Sequence, residues 1–272
     1  MQDIPSETLN MSIGHLRESA GSDMPFFHWQ GTHSAFMEFY RQCLKDDTNA
    51  GASLRRNTKE LEGQRSWSGL SEPAPAFIES GISIDAAREF QTTTAKLHAD
   101  RFAPGAVRPA VAGGAWIIPL TLTGAPMPAR IRERTKLPPL NINLGITAMA
   151  RTNWKDVTKS LASVAHAAWQ YLQAGGALTL TANYCWAFHS PMNGNRGLVV
   201  SIKAPLTSQA AFASACSLQT ARALTLSLAQ SLSGVPNGHD SIPLAYWKKP
   251  GLHMVNGLAG EDAGILSALK IA

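Results

Sequence analysis

The stretch that decides the fold runs from residue 140 to 188, "LNINLGITAMARTNWKDVTKSLASVAHAAWQYLQAGGALTLTANYCWAF". Leu140, Ile142, Leu144 and Ile146 alternate with small or polar residues, the two-residue period of a strand with one buried face. Thr152 or Asn153 then caps a helix in which Trp154, Val157, Leu161, Val164, Ala168 and Leu172 share one stripe, closed by Gly175 and Gly176. A second strand follows over residues 177 to 187. Strand, long helix and strand in succession imply a right-handed crossover, and therefore at least one parallel strand pair.

Working outward, "GLVVSIKA" (197–204) reads as another strand and "SQAAFASACSLQTARALTLSLAQSLSG" (208–234) as a second long helix ending at Gly234. Both helices carry few charges, which implies burial against a sheet, from both of its sides. Upstream, "AWIIPLTLTG" (115–124) is a strand whose Pro119 marks an edge or bulged position, because proline cannot donate to the ladder. The expected fold class is α/β, a partly parallel mixed sheet flanked by two long helices, with a mainly helical N-terminal region. Three segments are expected: a flexible N-terminal arm over 1–25, the mainly helical region over 26–104, and the α/β core with a small C-terminal helix (about Asp262 to Ile271) over 105–272. Within the second segment helices are expected from about Thr32 to Leu44, from Pro73 to Gly81 and from Asp85 to Asp100. The polar run "KDDTNAGASLRRNTKELEGQRS" (45–66) reads as an exposed connection with one short helical piece.

Hydrophobic residues make up 44% and charged residues 16% of the 272, a composition that excludes a disordered or fibrous chain. No run of about 18 uncharged apolar residues occurs, and the first residues lack the basic and apolar regions of a secretory signal. The chain is therefore expected to be soluble and cytosolic, with no membrane partner. Cys43, Cys185 and Cys216 are odd in number and have no C-x-x-C spacing, which argues for small buried hydrophobes over a disulfide framework or a zinc site.

Charge is distributed unevenly. Residues 1–100 carry net −5 and residues 223–272 net zero, whereas residues 101–222 hold twelve Lys and Arg against Glu133 and Asp156 alone, a net of +10. Its peak is "MPARIRERTKLPP" (127–139), with Arg130, Arg132, Arg134 and Lys136 at every second position. Pro128, Pro138 and Pro139 bracket this stretch, which favours an extended, exposed connection over a central strand. Arg151, Lys155 and Lys159 form a second cluster, because i, i+4 and i+8 lie along one helix face. Such cations suit phosphate contacts, or docking of the acidic N-terminal part, or simply a solvated surface. Trp116 and Trp154 are candidate stacking platforms for bases, although core packing is the ordinary role of tryptophan.

Catalytic signatures are scarce. No G-x-S-x-G elbow and no P-loop occur, and two carboxylates in 101–222 leave little for paired-carboxylate hydrolysis or a magnesium site. His28 and His33 have no cysteine or carboxylate at ligand spacing, and His166 sits inside the long helix beside Trp169. His189 and His239 are the best general-base candidates, in turn-like contexts where histidine is common anyway. No catalytic residue, metal ligand or cofactor is expected.

Two resemblances follow from particular residues. "WSGLSEPAPAFIESG" (67–81), "VAGGAWIIPLTLTGAPMPARI" (111–131), "LNINLGITA" leading into a long helix, and "GGALTLTANYCW" (175–186) together resemble an uncharacterised family of bacteriophage and plasmid proteins, by pattern over most of residues 66–245. That family has no established activity to carry over. In topology the chain also resembles the von Willebrand factor A fold, whose first strand ends in D-x-S-x-S. Gly145, Thr147 and Met149 stand at those three places, so the resemblance implies no metal-dependent adhesion site.

The leading functional expectation is a non-enzymatic nucleic-acid-binding protein of a phage or mobile element, acting on single-stranded DNA or RNA in replication, transcription or genome handling. Its phosphate contacts would be Arg130, Arg132, Arg134, Lys136, Arg151, Lys155 and Lys159, and its location the bacterial host cytoplasm. The alternative is a protein–protein adaptor or virion assembly component, with a second copy of the chain as a candidate partner through the small-residue helix faces. A weaker alternative is an enzyme using His189 or His239.

Overall fold

A computed structural model describes residues 11–17, 23–63, 74–94, 107–110, 115–116, 129–132, 139–146, 154–173, 176–190, 194–206, 208–233, 242–243 and 252–255. Strands β1 (Met11–Arg17) and β2 (Asp23–Thr32) precede helices α1 (His33–Lys45), α2 (Asn49–Gly63), α3 (Ala74–Ser80) and α4 (Ile84–Thr94). Short strands β3 (Val107–Ala110), β4 (Ala115–Trp116) and β5 (Ala129–Arg132) come next, then β6 (Leu140–Ile146), α5 (Trp154–Gln173), β7 (Leu178–Ser190) and β8 (Gly194–Lys203). Helix α6 (Gln209–Ala215), a π-helical segment (Gln219–Thr225) and α7 (Leu226–Ser233) lead to β9 (Ile242–Pro243) and β10 (Leu252–Val255). The expected C-terminal helix, the cap at Thr152 or Asn153, and the strand beyond Trp116 lie outside the described residues.

The strand–helix–strand unit forms as its pattern requires, with β6 parallel to β7 from Leu140↔Leu178 to Gly145↔Asn183. β7 then turns back into β8 as an antiparallel hairpin closed at Ser190↔Gly194, where Gly194 has a φ of +70° that suits glycine. The sheet runs β1-β2-β8-β7-β6-β10, mixing parallel and antiparallel pairs, with β9 beside the far half of β7. This is an α/β fold built on a partly parallel mixed sheet.

The N-terminal region is mainly helical, as expected, with four described helices between His33 and Thr94. Two strands precede them: residues Met11–Arg17, read as part of a loose arm, form a strand antiparallel to β2, and β2 itself is parallel to β8 from Phe26↔Gly197 to Thr32↔Lys203. Phe27 and Trp29 are buried at the two-residue period while His28 and Gln30 are not, a strand signal hidden in a short run.

One face of the sheet carries the core. Phe27 and Trp29 of β2, Leu198, Val200 and Ile202 of β8, alternate residues of β7 from Leu180 to Phe188, and Ile142, Leu144 and Ile146 of β6 all join one apolar cluster. Every described helix contributes buried apolar side chains to the same cluster, so among the described residues the helices gather on one side of the sheet instead of flanking it on both. Phe90 of α4, Trp169 of α5 and Phe212 of α6 meet in tilted to edge-on contacts with centroid distances of 5.5 to 6.2 Å, and the Trp169 indole N–H donates to Leu206 O at 2.6 Å.

Helix α1 starts where Thr32 Oγ1 accepts from the Ala35 N–H at 3.2 Å. Its last carbonyls meet a cation: Arg55 Nη1 donates to Leu44 O and Asp46 O at 2.6 and 2.7 Å. That arginine belongs to α2, a 15-residue helix where the sequence reading expected an exposed connection. Among its described residues the buried side chains are Leu54, Asn57 and Thr58, two of them polar. Thr58 Oγ1 lies 2.8 Å from Tyr40 Oη, and Asn57 Nδ2 donates to Ser231 Oγ at 3.2 Å. Partners on other elements make these polar groups fit for burial, which no hydropathy pattern reports.

The second expected long helix is broken. α6 stops at Ala215, and the π-helical segment begins four residues later. At the break the Thr220 N–H donates to Ser217 Oγ at 3.1 Å, while Thr220 Oγ1 donates to Ser214 O at 2.6 Å. Serine and threonine side chains here take over backbone groups that a continuous helix would have paired.

His33, buried at the start of α1, places Nε2 2.7 Å from Gly81 O, so Nε2 carries the proton and donates. Nδ1 is buried without a hydrogen-bond partner, and burial lowers the histidine pKa from its ordinary value against the opposing effect of the Gly81 bond. The unfolded chain therefore binds the proton at higher pH than the folded one. The resulting stability is present above the unfolded pKa of about 6.5 and is lost as pH falls towards the folded value. Urea unfolding between pH 7 and pH 5 should show a decline of up to about 1.4 kcal/mol per pH unit from this group. His33→Gln, which keeps a donor for Gly81, should flatten that dependence; equal slopes in the two proteins would exclude the assignment.

Candidate functional site

Within the basic stretch, Ala129–Arg132 forms the middle strand of a separate three-stranded sheet, ordered β3-β5-β4. For these four residues this corrects the reading as a connection outside a central strand: Ala129–Arg132 is a central strand, antiparallel to both neighbours. Pro128 and Pro138 of that reading lie outside the described residues. Pro109 sits on the edge strand β3 opposite Arg130, a position that tolerates a missing donor, while β5 contains no proline.

Register divides the residues of this sheet between two faces. Arg130 is opposite Pro109 on one side and Ala115 on the other, and Arg132 is opposite Val107. These five share a face, because directly paired residues and residues two apart along a strand do so. The other face holds Ala129 with its partners Ala110 and Trp116, and Ile131 with its partner Arg108. The three strands read VRPA, AW and ARIR, and so contain three arginines and no carboxylate.

Arg134, Lys136 and Arg151 lie outside the described residues. Lys155 and Lys159 are one turn apart on α5, and Lys159 is exposed. Other cations of the +10 segment serve packing. Arg196 lies over the Phe27 ring at 5.7 Å, and Arg222 is buried in the π-helical segment, where burial lowers its pKa. Charge counting along the sequence therefore overstates the cationic surface. Arg108 was missed as a candidate, its only sequence signal being membership of the same carboxylate-poor segment.

The histidines fall into different settings. His189, exposed at the end of β7, has Nδ1 2.9 Å from Asn195 Oδ1 across the hairpin, and His239 lies outside the described residues. His28, on the sheet face opposite the core, has Nε2 3.1 Å from Ser201 Oγ. Ser201 in turn donates to Asn183 Oδ1 at 2.7 Å, and Asn183 Nδ2 donates to Leu144 O at 3.3 Å. The serine proton is thus directed at the amide and the imidazole N–H donates to the serine, the reverse of nucleophile activation. This chain of hydrogen bonds across β2, β8, β7 and β6 was invisible in sequence, since His28 and Ser201 are 173 residues apart.

Cys43 and Cys216 are buried, and all three thiols are free. Burial pushes Cys43 and Cys185 up to about 12 and Cys216 higher still, away from reactive thiolate chemistry. A cavity of about 10 Å³ lined by Ala86, Phe90, Leu161 and Phe212 admits one water at most. Gly145, at the first of the positions compared with a von Willebrand A metal site, is buried in β6; Thr147 and Met149 lie outside the described residues. Among the described residues no group of three His, Cys, Asp or Glu could hold a metal ion, and no helix is long and apolar enough to cross a membrane. No protein-family model, curated protein or solved structure matches the chain.

Proposed function

We propose that the protein binds nucleic acid through phosphate contacts, with single-stranded DNA or RNA as the form expected from the sequence, and that it does so without catalysing a reaction. The observation that carries this reading is the pairing of Arg130 and Arg132 on one face of β5, in a sheet whose described strands contain no carboxylate. A lysine or arginine that neutralises a phosphate releases a condensed counterion, which supplies affinity without base recognition. Arg134, Lys136, Arg151, Lys155 and Lys159 are the further contacts proposed. Action in replication, transcription or genome handling of a phage or mobile element is the role proposed from the sequence resemblance.

Fluorescence anisotropy with labelled single- and double-stranded oligonucleotides tests the reading. If all seven cations meet phosphates, affinity for a single strand should fall about a thousandfold between roughly 50 and 200 mM salt. An absence of binding at the lower salt would overturn it.

A further inference from the structure

We propose that the Arg130/Arg132 face holds a phosphodiester backbone without stacking any base, so that the ligand class of this site is the phosphodiester chain itself. The inference rests on the nucleic-acid reading and specifies how that site takes its ligand. Tryptophan near a basic strand is the usual platform for single-stranded bases, and Trp116 is the one aromatic residue among the described residues of this sheet. Register removes it from the arginine face. Trp116 pairs with Ala129, whereas Arg130 and Arg132 alternate with Ala129 and Ile131 along β5. The residues sharing the arginine face are Val107, Pro109 and Ala115, none of which offers an aromatic ring. A backbone lying along Arg130 and Arg132 is therefore on the face of the sheet other than the one to which register assigns Trp116. Sequence proximity placed tryptophan and arginines in one site; strand alternation separates them.

The test uses the full-length protein and two labelled 20-mers of equal charge, one of deoxythymidine and one in which every unit is an abasic tetrahydrofuran phosphate. At about 50 mM salt the two should bind within roughly fivefold of each other, since stacking is worth about five- to 150-fold per base where it occurs. Trp116→Ala should likewise leave the affinity for the deoxythymidine oligomer within about fivefold. A larger preference for deoxythymidine over the abasic chain overturns the proposal, as does a larger loss in the Trp116→Ala protein confined to the deoxythymidine oligomer. The wild-type comparison needs no variant, so it decides the matter even if Trp116→Ala fails to fold. Binding of neither oligomer would instead overturn the nucleic-acid reading itself, and this inference with it.

Discussion

Trp186→Ala should lower the free energy of unfolding by about 3–5 kcal/mol, the cost of emptying a large aromatic site in a packed core. Trp186 is 3% exposed at the middle of β7, where Leu198 of β8 and Pro243 of β9 are its register partners. Its indole N–H donates to Thr225 Oγ1 at 2.9 Å, and Thr225 Oγ1 donates onward to Ala221 O at 2.6 Å. The residue thereby links the long central strand to the π-helical segment. Trp186→Phe keeps most of the buried ring and leaves the Thr225 hydroxyl its own acceptor, so it should cost only about 1–2 kcal/mol. Urea midpoints of the two variants, compared at unchanged m, measure the difference. A loss of less than about 1 kcal/mol in Trp186→Ala would mean that β7 and the π-helical segment are not packed together. The expected loss is a large fraction of the total, because whole domains are stable by only about 5–15 kcal/mol.

Replacing Arg130, Arg132 and Arg134 together by alanine should weaken binding to a single-stranded oligonucleotide by about a hundredfold at 50 mM salt. It should also reduce the slope of log K against log salt by about 2, the amount three phosphate contacts contribute. The fold should survive, because β5 is held to β3 and β4 by backbone hydrogen bonds that alanine retains. The corresponding lysine triple variant keeps three positive charges, without the planar guanidinium fork, and should recover most of the affinity. Recovery by lysine separates a loss of charge from a loss of structure. Unchanged binding in the alanine protein would return the stretch to the status of a structural strand.

Legibility in the sequence followed the locality of each signal. The β6–α5–β7 unit could be read directly, because alternating Leu140, Ile142, Leu144 and Ile146 and the 3.6-residue stripe of α5 are patterns within one segment. Helix α1 was legible for the same reason, with its buried Phe36, Phe39, Tyr40 and Cys43 at spacings of three and four. Helix α2 was not, since Asn57 and Thr58 become core residues only through Ser231 and Tyr40. The break after α6 was equally hidden: Ser214, Ser217 and Thr220 read as ordinary small helical residues until their side chains claim the backbone. Of the candidate site, the cationic peak was evident from composition, but its place on a central strand depended on β3 and β4, short strands with almost no pattern of their own.

The sequence by itself determined that a parallel strand pair joined by a long helix would form, that its apolar faces would need covering, and that cations would concentrate in residues 101–222. These are properties of periodicity and composition, which any neighbour able to bury the faces would preserve. Only the tertiary structure decided that β2 would lie parallel to β8, that the described helices would gather on one face of the sheet, and that Arg130 and Arg132 would stand on the face of β5 opposite Trp116. Strand pairing is non-local: the same alternation fits several partners, and the register adopted decides which residues share a face.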